Sequence, residues 1–380
     1  MSAAAQEVFE NAIALQGRGD VITALSYFRK ALELAPQDTE IAYGTASAML
    51  QAGQLDEAQS QLRRIVFAEP GHLKARTSLA NCQLLIEDFE NAKTNFSEVL
   101  AQTPDNKNAL YGLASVLLKE NNPIEASVPA TILRDKMPEN AAVLTLFAET
   151  QAKTGQIAAA VAAYRKALKA DTRHVPAMLG LAQTLLLRKQ FTDVIDLTVK
   201  AAQLSPADPL PLEMLSLALE GLGELQDARE AGQEAVRLAP NSSHLQTRMS
   251  VLSRKLEENA AAIKYALQAH DYDPDQLEPL KALGAALAAH KFPKEARTVL
   301  TDLSSNRSLD PKIREVAETL AKTAAESGSI EPRPSTQSAS KPAVNQADEK
   351  APVVAARSSE IASRNEPIPN VLGLNRQDKS

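Results

Sequence analysis

The sequence predicts an all-α fold, a solenoid of stacked helix pairs, on three observations. The first is proline spacing. In a chain of 380 residues, prolines fall at 36, 70, 104, 138, 206, 240 and 274, every gap being 34 or 68. Average proline usage would not produce such a register. The one vacant position, 172, holds threonine. The second is a matching register of small residues, and the third is a pair of apolar stripes with helical spacing inside each period.

The segment DVITALSYFRKALELAP (Asp20 to Pro36) sets the frame. It returns as QLDEAQSQLRRIVFAEP, QIAAAVAAYRKALKADT and ELQDAREAGQEAVRLAP, beginning at Gln54, Gln156 and Glu224. With the proline late in each period, nine units run over 5–38, 39–72, 73–106, 107–140, 141–174, 175–208, 209–242, 243–276 and 277–308. The eighth position reads Ala12, Ala46, Ala80, Ala114, Ala148, Ala182, Ser216, Ser250 and Gly284. The twentieth reads Ala24, Ala58, Ala92, Ala126, Ala160, Val194, Ala228, Ala262 and Ala296.

Leu110, Leu113, Ala114 and Leu117 show the first apolar stripe of a unit. Ile157, Ala160, Val161 and Tyr164 show the second. Gly19, Gly53, Gly155 and Gly223 fall at the break between stripes, where a left-handed residue ends a helix at little cost. Proline ends the second helix because it cannot extend the hydrogen-bond ladder. Small residues at the crossing let the two helices of a pair approach, and Phe28, Phe96 and Tyr164 fill the space towards the next unit. One helix pair has too little core to stand alone, so the pairs must stack.

The small–small–proline frame resembles the tetratricopeptide repeat over roughly 5 to 308. The resemblance implies a right-handed superhelix with first helices lining a concave groove. Some positions depart from the pattern. Asn11 and Thr45 stand where the first helix ordinarily carries leucine, as expected of an exposed end of the stack. Thr172 and Ser308 replace proline, and Thr198 and Gly232 replace a large residue.

Beyond the ninth unit, 311–326 reads as a capping helix. Asp310 can cap it, with Pro311 in the first turn. Ile313, Val316, Ala317, Leu320, Ala321 and Ala324 form one apolar face, and the other face is polar. From 327 to 380 the chain is rich in Pro, Ser, Lys and Glu, which predicts a disordered tail with a reach of ~40 Å. Its last stretch regains Ile368, Val371, Leu372 and Leu374.

Composition narrows the function. A formal charge of −6 gives no electrostatic case for nucleic acid. The first residues lack the pattern of a signal peptide and no run reaches the ~20 apolar residues of a membrane span, so a cytoplasmic protein without membrane insertion is expected. One cysteine, Cys82, excludes an intramolecular disulfide and a multi-cysteine zinc site; a buried thiol is expected there. The five histidines (His72, His174, His244, His270, His290) are scattered and read as solvated. Carboxylate pairs such as Glu257–Glu258 read as solvated charge on helices. With single glycines only, no phosphate loop, no metal set and no cofactor site is expected, and the chain reads as a non-enzyme. Arg18-Gly19-Asp20 and the sequons at Asn95 and Asn241 carry no function in such a chain. Pro129, inside the second helix of the fourth unit, predicts a local kink.

The concave face implied by the resemblance is then the candidate site, at positions 2, 5, 9 and 12 of each unit. The selected groove residues are Phe9, Ile13, Tyr43, Ser47, Leu50, Lys74, Asn81, Leu84, Asn108, Tyr111, Ser115 and Leu118. Aromatic and aliphatic groups interleaved with amides suit a peptide or helix of a partner protein. Farther on, Glu213, Glu220, Arg254 and Lys281 make the face more charged. The lysine–asparagine–arginine set by which one subclass grips a C-terminal carboxylate is not completed, its slots reading Phe9, Ile13, Gly44, Lys74 and Ser78. The expected function is a protein–protein interaction scaffold serving assembly of a larger complex. The alternative is a self-associating structural protein.

Overall fold

The computed structural model describes residues 2–290, 300–306 and 311–327. Most of the ninth unit's second helix and the whole of the tail from 328 lie outside the described residues. The chain forms two compact units, one ending at Pro206 and the other beginning at Ala207. Both are all-α among the described residues.

The first unit holds six helix pairs. They are α1 (Ala3–Gly17) with α2 (Val21–Leu34), α3 (Thr39–Gln51) with α4 (Leu55–Ala68), and α5 (Leu73–Leu85) with α6 (Phe89–Gln102). Then follow α7 (Lys107–Lys119) with α8 (Pro123–Lys136), α9 (Ala141–Lys153) with α10 (Ile157–Ala170), and α11 (Val175–Leu187) with α12 (Phe191–Leu204). The second unit holds α13 (Leu210–Leu222), α14 (Leu225–Leu238), α15 (Ser243–Lys255), α16 (Asn259–Tyr272) and α17 (Leu277–His290). Residues 300–305 are helical, and α18 (Pro311–Ser327) takes the place expected of the cap. Its Leu320 meets Gly284 of α17, and Ala317 is buried in the core that Leu280 and Leu283 share.

Each helix boundary has a local cause. Between the helices of a pair one residue is left-handed: Gly19, Gly53, Gly155 and Gly223, but also Glu87, Asn121, Lys189 and Glu257. Glycine does this without strain, whereas a side chain there clashes with its own backbone. The residue before the first helix caps α1, α3, α5, α7, α9 and α15 through its side chain, whereas His174 before α11 and Pro209 before α13 make no such bond. Asp38 accepts from the Ile41 N–H at 3.2 Å, Asn106 from Ala109 at 3.0 Å and Asn140 from Val143 at 3.0 Å. Second helices stop two residues before the proline, and α10 stops at the equivalent Ala170 although position 172 is threonine. Proline therefore reinforces that end rather than creating it.

The small residues sit where the pairs cross. Ala12, Ala46, Ala80, Ala114, Ala148 and Ala182 are fully buried, as are Ala24, Ala58, Ala92, Ala126, Ala160 and Val194. Between neighbouring pairs of the first unit, first helices touch directly, α1 to α3 and onward to α11. That contact defines one face built of first helices and leaves the second helices on the other.

Several expectations change. Asn11 is exposed, as an end position should be, but Thr45 is fully buried. Its hydroxyl donates to the Ile41 carbonyl at 2.8 Å, so an interior helical turn absorbs its polarity. Pro129 does not interrupt α8, which runs unbroken from Pro123 to Lys136 with Pro129 buried. Glu257 and Glu258 lie in the turn between α15 and α16, not on a helix, and Glu258 pairs with Arg229. Two histidines are not solvated. His72 occupies a capping position, where its Nδ1 accepts from the Ala75 N–H at 3.1 Å. His270 is buried in α16.

Candidate functional site

First helices α1, α3, α5 and α7 carry all the predicted groove residues, and the fold displays them unequally. Ile13 is 49% and Tyr111 40% exposed. Lys74, Asn81 and Asn108 are exposed, while Tyr43, Ser47, Leu50, Leu84 and Ser115 are half-buried. Phe9 turns partly into the core, its ring edge-on to Phe28 at 5.7 Å. Leu118 is the departure: it is 3% exposed and packs with Leu117 and Leu146. Its position in the last turn of α7 aims it between helices, so it forms a floor rather than a contact surface.

The half-buried groups are held in place. The Tyr43 ring lies 5.3 Å from that of His72, and its hydroxyl comes within 3.4 Å of Ser78 Oγ on the next first helix. Leu50 packs on the Ala46–Leu62 core, and Leu84 on the Ala80–Phe96 core. Asn81 and Asn108 make no hydrogen bond among the described residues, so their amides remain available.

At α7 and α9 the face forms a recess lined by Tyr111, Ser115, Leu118, Thr145, Glu149 and Lys153, with Pro176 beyond. Ser115 Oγ donates to the Tyr111 carbonyl at 2.9 Å and Thr145 Oγ1 to the Ala141 carbonyl at 2.7 Å. Lys153 spans two units, donating to the Leu118 carbonyl at 3.2 Å and lying 3.4 Å from Glu149. Burial, with the Glu149 carboxylate nearby, pushes the Tyr111 phenol up, so it stays a neutral donor. Thr145 and Glu149 hold positions 5 and 9 of their unit, and Lys153, outside those positions, lines the same recess.

In the second unit the equivalent face is ionic. Glu213 meets His244 at 2.6 Å, and Glu220 takes Arg248 at 2.9 Å and Lys255 at 2.5 Å. Burial alone would raise the Glu220 carboxyl, but hydrogen bonds from Lys255 and Arg248 hold it below the usual carboxylate range. These charges are spent on one another.

The lone thiol is not set up as a nucleophile. Cys82 is buried and donates to the Leu55 carbonyl at 3.3 Å; burial and Asp56 raise its thiol, which disfavours the nucleophilic thiolate. Among the described residues no three His, Cys, Asp or Glu side chains gather as metal ligands. None of the described helices is long and apolar enough to cross a membrane.

A periodic array of helix pairs with an exposed first-helix face defines a class: proteins built of stacked helical repeats. Family comparison agrees. Profiles described as tetratricopeptide repeat match residues 15–82, and 86–126 with 145–209. These segments of the chain are tetratricopeptide repeats. The chain is 24% identical over 304 residues to the protein CTR9 homolog of Arabidopsis thaliana, covering 75% of this chain and 28% of that protein. It is 28% identical over 186 residues to cellulose synthase operon protein C of Pseudomonas fluorescens, covering 47% and 14%. The chain thus spans less than a third of the length of either relative. Among solved structures, the APC/C hetero-tetramer Cut9–Hcn1 shares the fold with a TM-score of 0.59 at 16% identity, over 74% of this chain and 55% of that one.

Proposed function

We propose that this protein is a non-enzymatic scaffold whose first-helix face, from α1 to α9, holds an extended or helical segment of a partner protein, as an assembly factor of a larger complex. The observation that carries this reading is the sequence of groups along α3, α5 and α7. Tyr43, Leu50, Leu84 and Tyr111 offer partly exposed apolar anchors, and the unengaged amides of Asn81 and Asn108 stand between them. Apolar pockets take side chains while amides satisfy a backbone, the division of labour peptide grooves use. Aromatic anchors supply most of the binding energy at such surfaces. The proteins it resembles include a named component of a multisubunit assembly, the Cut9–Hcn1 hetero-tetramer, which is consistent with a scaffold role.

Affinity capture with the full chain, compared with the Tyr43→Ala/Tyr111→Ala variant, tests the reading. The expected result is loss of the co-purifying protein with an unchanged helical spectrum. Retention of the same partner at the same yield removes the assignment.

A further inference from the structure

The repeat supplies its own control for surface positions, because every second helix presents the same slots outward. Positions 18, 22 and 26 of a unit lie four residues apart, on one side of the helix. In α4 they are Asp56, Ser60 and Arg64; in α6, Glu90, Thr94 and Glu98; in α12, Thr192, Asp196 and Lys200; in α14, Gln226, Glu230 and Glu234. In α8 they are Ile124, Val128 and Ile132, exposed by 75%, 61% and 39%. A ridge of three aliphatic side chains stands in water where these four helices carry polar groups; α2 has Ile22, Ser26 and Lys30 in the same slots and α10 has Ala158, Ala162 and Lys166, so three large aliphatic groups together set α8 apart from them. Packing inside the unit does not require it: the buried side of α8 is complete with Ala126, Pro129, Ala130 and Leu133. Contiguous exposed apolar groups of this kind mark an interaction surface.

The flanks indicate what covers it. Lys136 of α8 pairs with Asp105 at the end of α6, and Lys166 of α10 with Glu139 at the end of α8, so α8 lies between α6 and α10. On the α6 side the outward groups include Glu90 and Glu98, the latter also paired with Arg76 of α5. On the α10 side they include Arg165, Lys166 and Lys169. Position 26 therefore reads acidic, apolar, basic across three adjacent helices: Glu98, Ile132, Lys166. A two-fold axis parallel to α8 exchanges the two flanks. It sets the ridge against itself and brings Glu98 to the side of its mate's Lys166. The surface is self-complementary, as an isologous interface must be.

We propose that the outward ridge of α8 is the centre of a homodimer interface, its occupant being the same ridge of a second copy of this chain. Three aliphatic side chains are few against the ~20–30 residues a side of a lasting interface, so the charged rows of α6 and α10 belong to the contact and the dimer is a reversible one. This interface lies on second helices, leaving the first-helix groove free for a partner.

The test is sedimentation of the full chain over a concentration series, beside the variant Ile124→Asp/Val128→Ser/Ile132→Arg, which installs the residues of α4. Those slots are exposed and carry these residues in a neighbouring repeat, so the variant should keep its helical spectrum and melting. The wild type should shift from one to two copies with concentration, and the variant should bind itself at least about tenfold more weakly. Glu98→Lys alone and Lys166→Glu alone should each weaken the dimer, and the two combined in one chain should restore it. A wild type that stays at one mass throughout overturns the proposal, and so does a dimer indifferent to the triple substitution. A monomer whose α8 loses protection from hydrogen exchange when residues 328–380 are removed also overturns it, and makes the tail the occupant.

Discussion

The Phe96 ring fills the space that a side chain on Gly112 would need: a Cβ built there would overlap the ring. The two residues belong to successive units, sixteen positions apart in sequence. The same exchange recurs at Phe28 with Gly44, where the built Cβ falls 2.7 Å from Phe28 Cε1, and at Tyr164 with Gly180, at 2.5 Å from Tyr164 Cε1. Where position 24 is small, the relation reverses, as with Ala130 and Leu146, which share one core. In the second unit Gly232 leaves a gap that Met249 enters. Repeats thus dock by trading volume across the junction, which is how close packing survives a varied sequence.

Gly112→Ala should therefore cost ~1–3 kcal/mol through overpacking. Chemical denaturation measures it. Repeating the substitution in a Phe96→Leu background should recover most of the loss, because the clash is with the ring; equal costs in both backgrounds would refute the exchange.

The turn between paired helices offers a gain. Glu87, Lys189 and Glu257 occupy left-handed backbone at φ of 62°, 58° and 62°. Replacing each by glycine should raise stability by about 0.5–1 kcal/mol per site, seen as a higher unfolding midpoint. Gly155→Ala, at φ +81° with open space around it, should lower it by a similar amount through backbone strain alone.

Acid should weaken the second unit through His270. Burial depresses its imidazole below the ordinary value near 6.5, against a small opposing influence of Asp271. As pH falls through about 6.5 the unfolded chain takes the proton first, so the stability this group contributes is complete above that pH and declines below it. Unfolding midpoints at pH 8 and pH 5.5 should differ less in His270→Leu, leucine being the residue at this position in α2, α6 and α10.

Glu220 should act in a lower window. Its carboxyl is held down by Lys255 and Arg248, so its contribution is present above the ordinary carboxylate range and disappears as pH falls through its lowered value. Glu220→Gln should cost ~1–2 kcal/mol at neutral pH, part of the pair being solvent-screened. A variant as stable as the wild type would show the pairs to be inert.

The architecture was legible because periodicity survives in a single sequence. Prolines, crossing alanines and four turn glycines each repeat at fixed offsets, and α18 has an apolar face in the sequence, while the cap expected at Asp310 lies outside the described residues. What escaped depends on partners far along the chain. His72 reads as solvated until the Ala75 N–H is seen to need it. Thr45 reads as an exposed end until Phe28 closes over it. Half of the left-handed turns hide behind glutamate, asparagine and lysine, which carry no glycine signal. First-helix offsets placed Tyr43, Asn81, Asn108 and Tyr111 on α3, α5 and α7, where each has some exposure. They could not tell that Leu118 turns inward, or that Lys153 joins Tyr111, since those facts belong to the packing of α7 against α9.

Site-specific photo-crosslinking tests the account of the groove most directly. A crosslinking side chain placed at Ser47, Asn81 or Asn108, on the first-helix face, is predicted to capture the partner protein, while one at Thr94 or Ala162, on the second helices, is predicted to leave it uncaptured. Capture from Thr94 or Ala162 with none from Ser47, Asn81 or Asn108 would contradict the account.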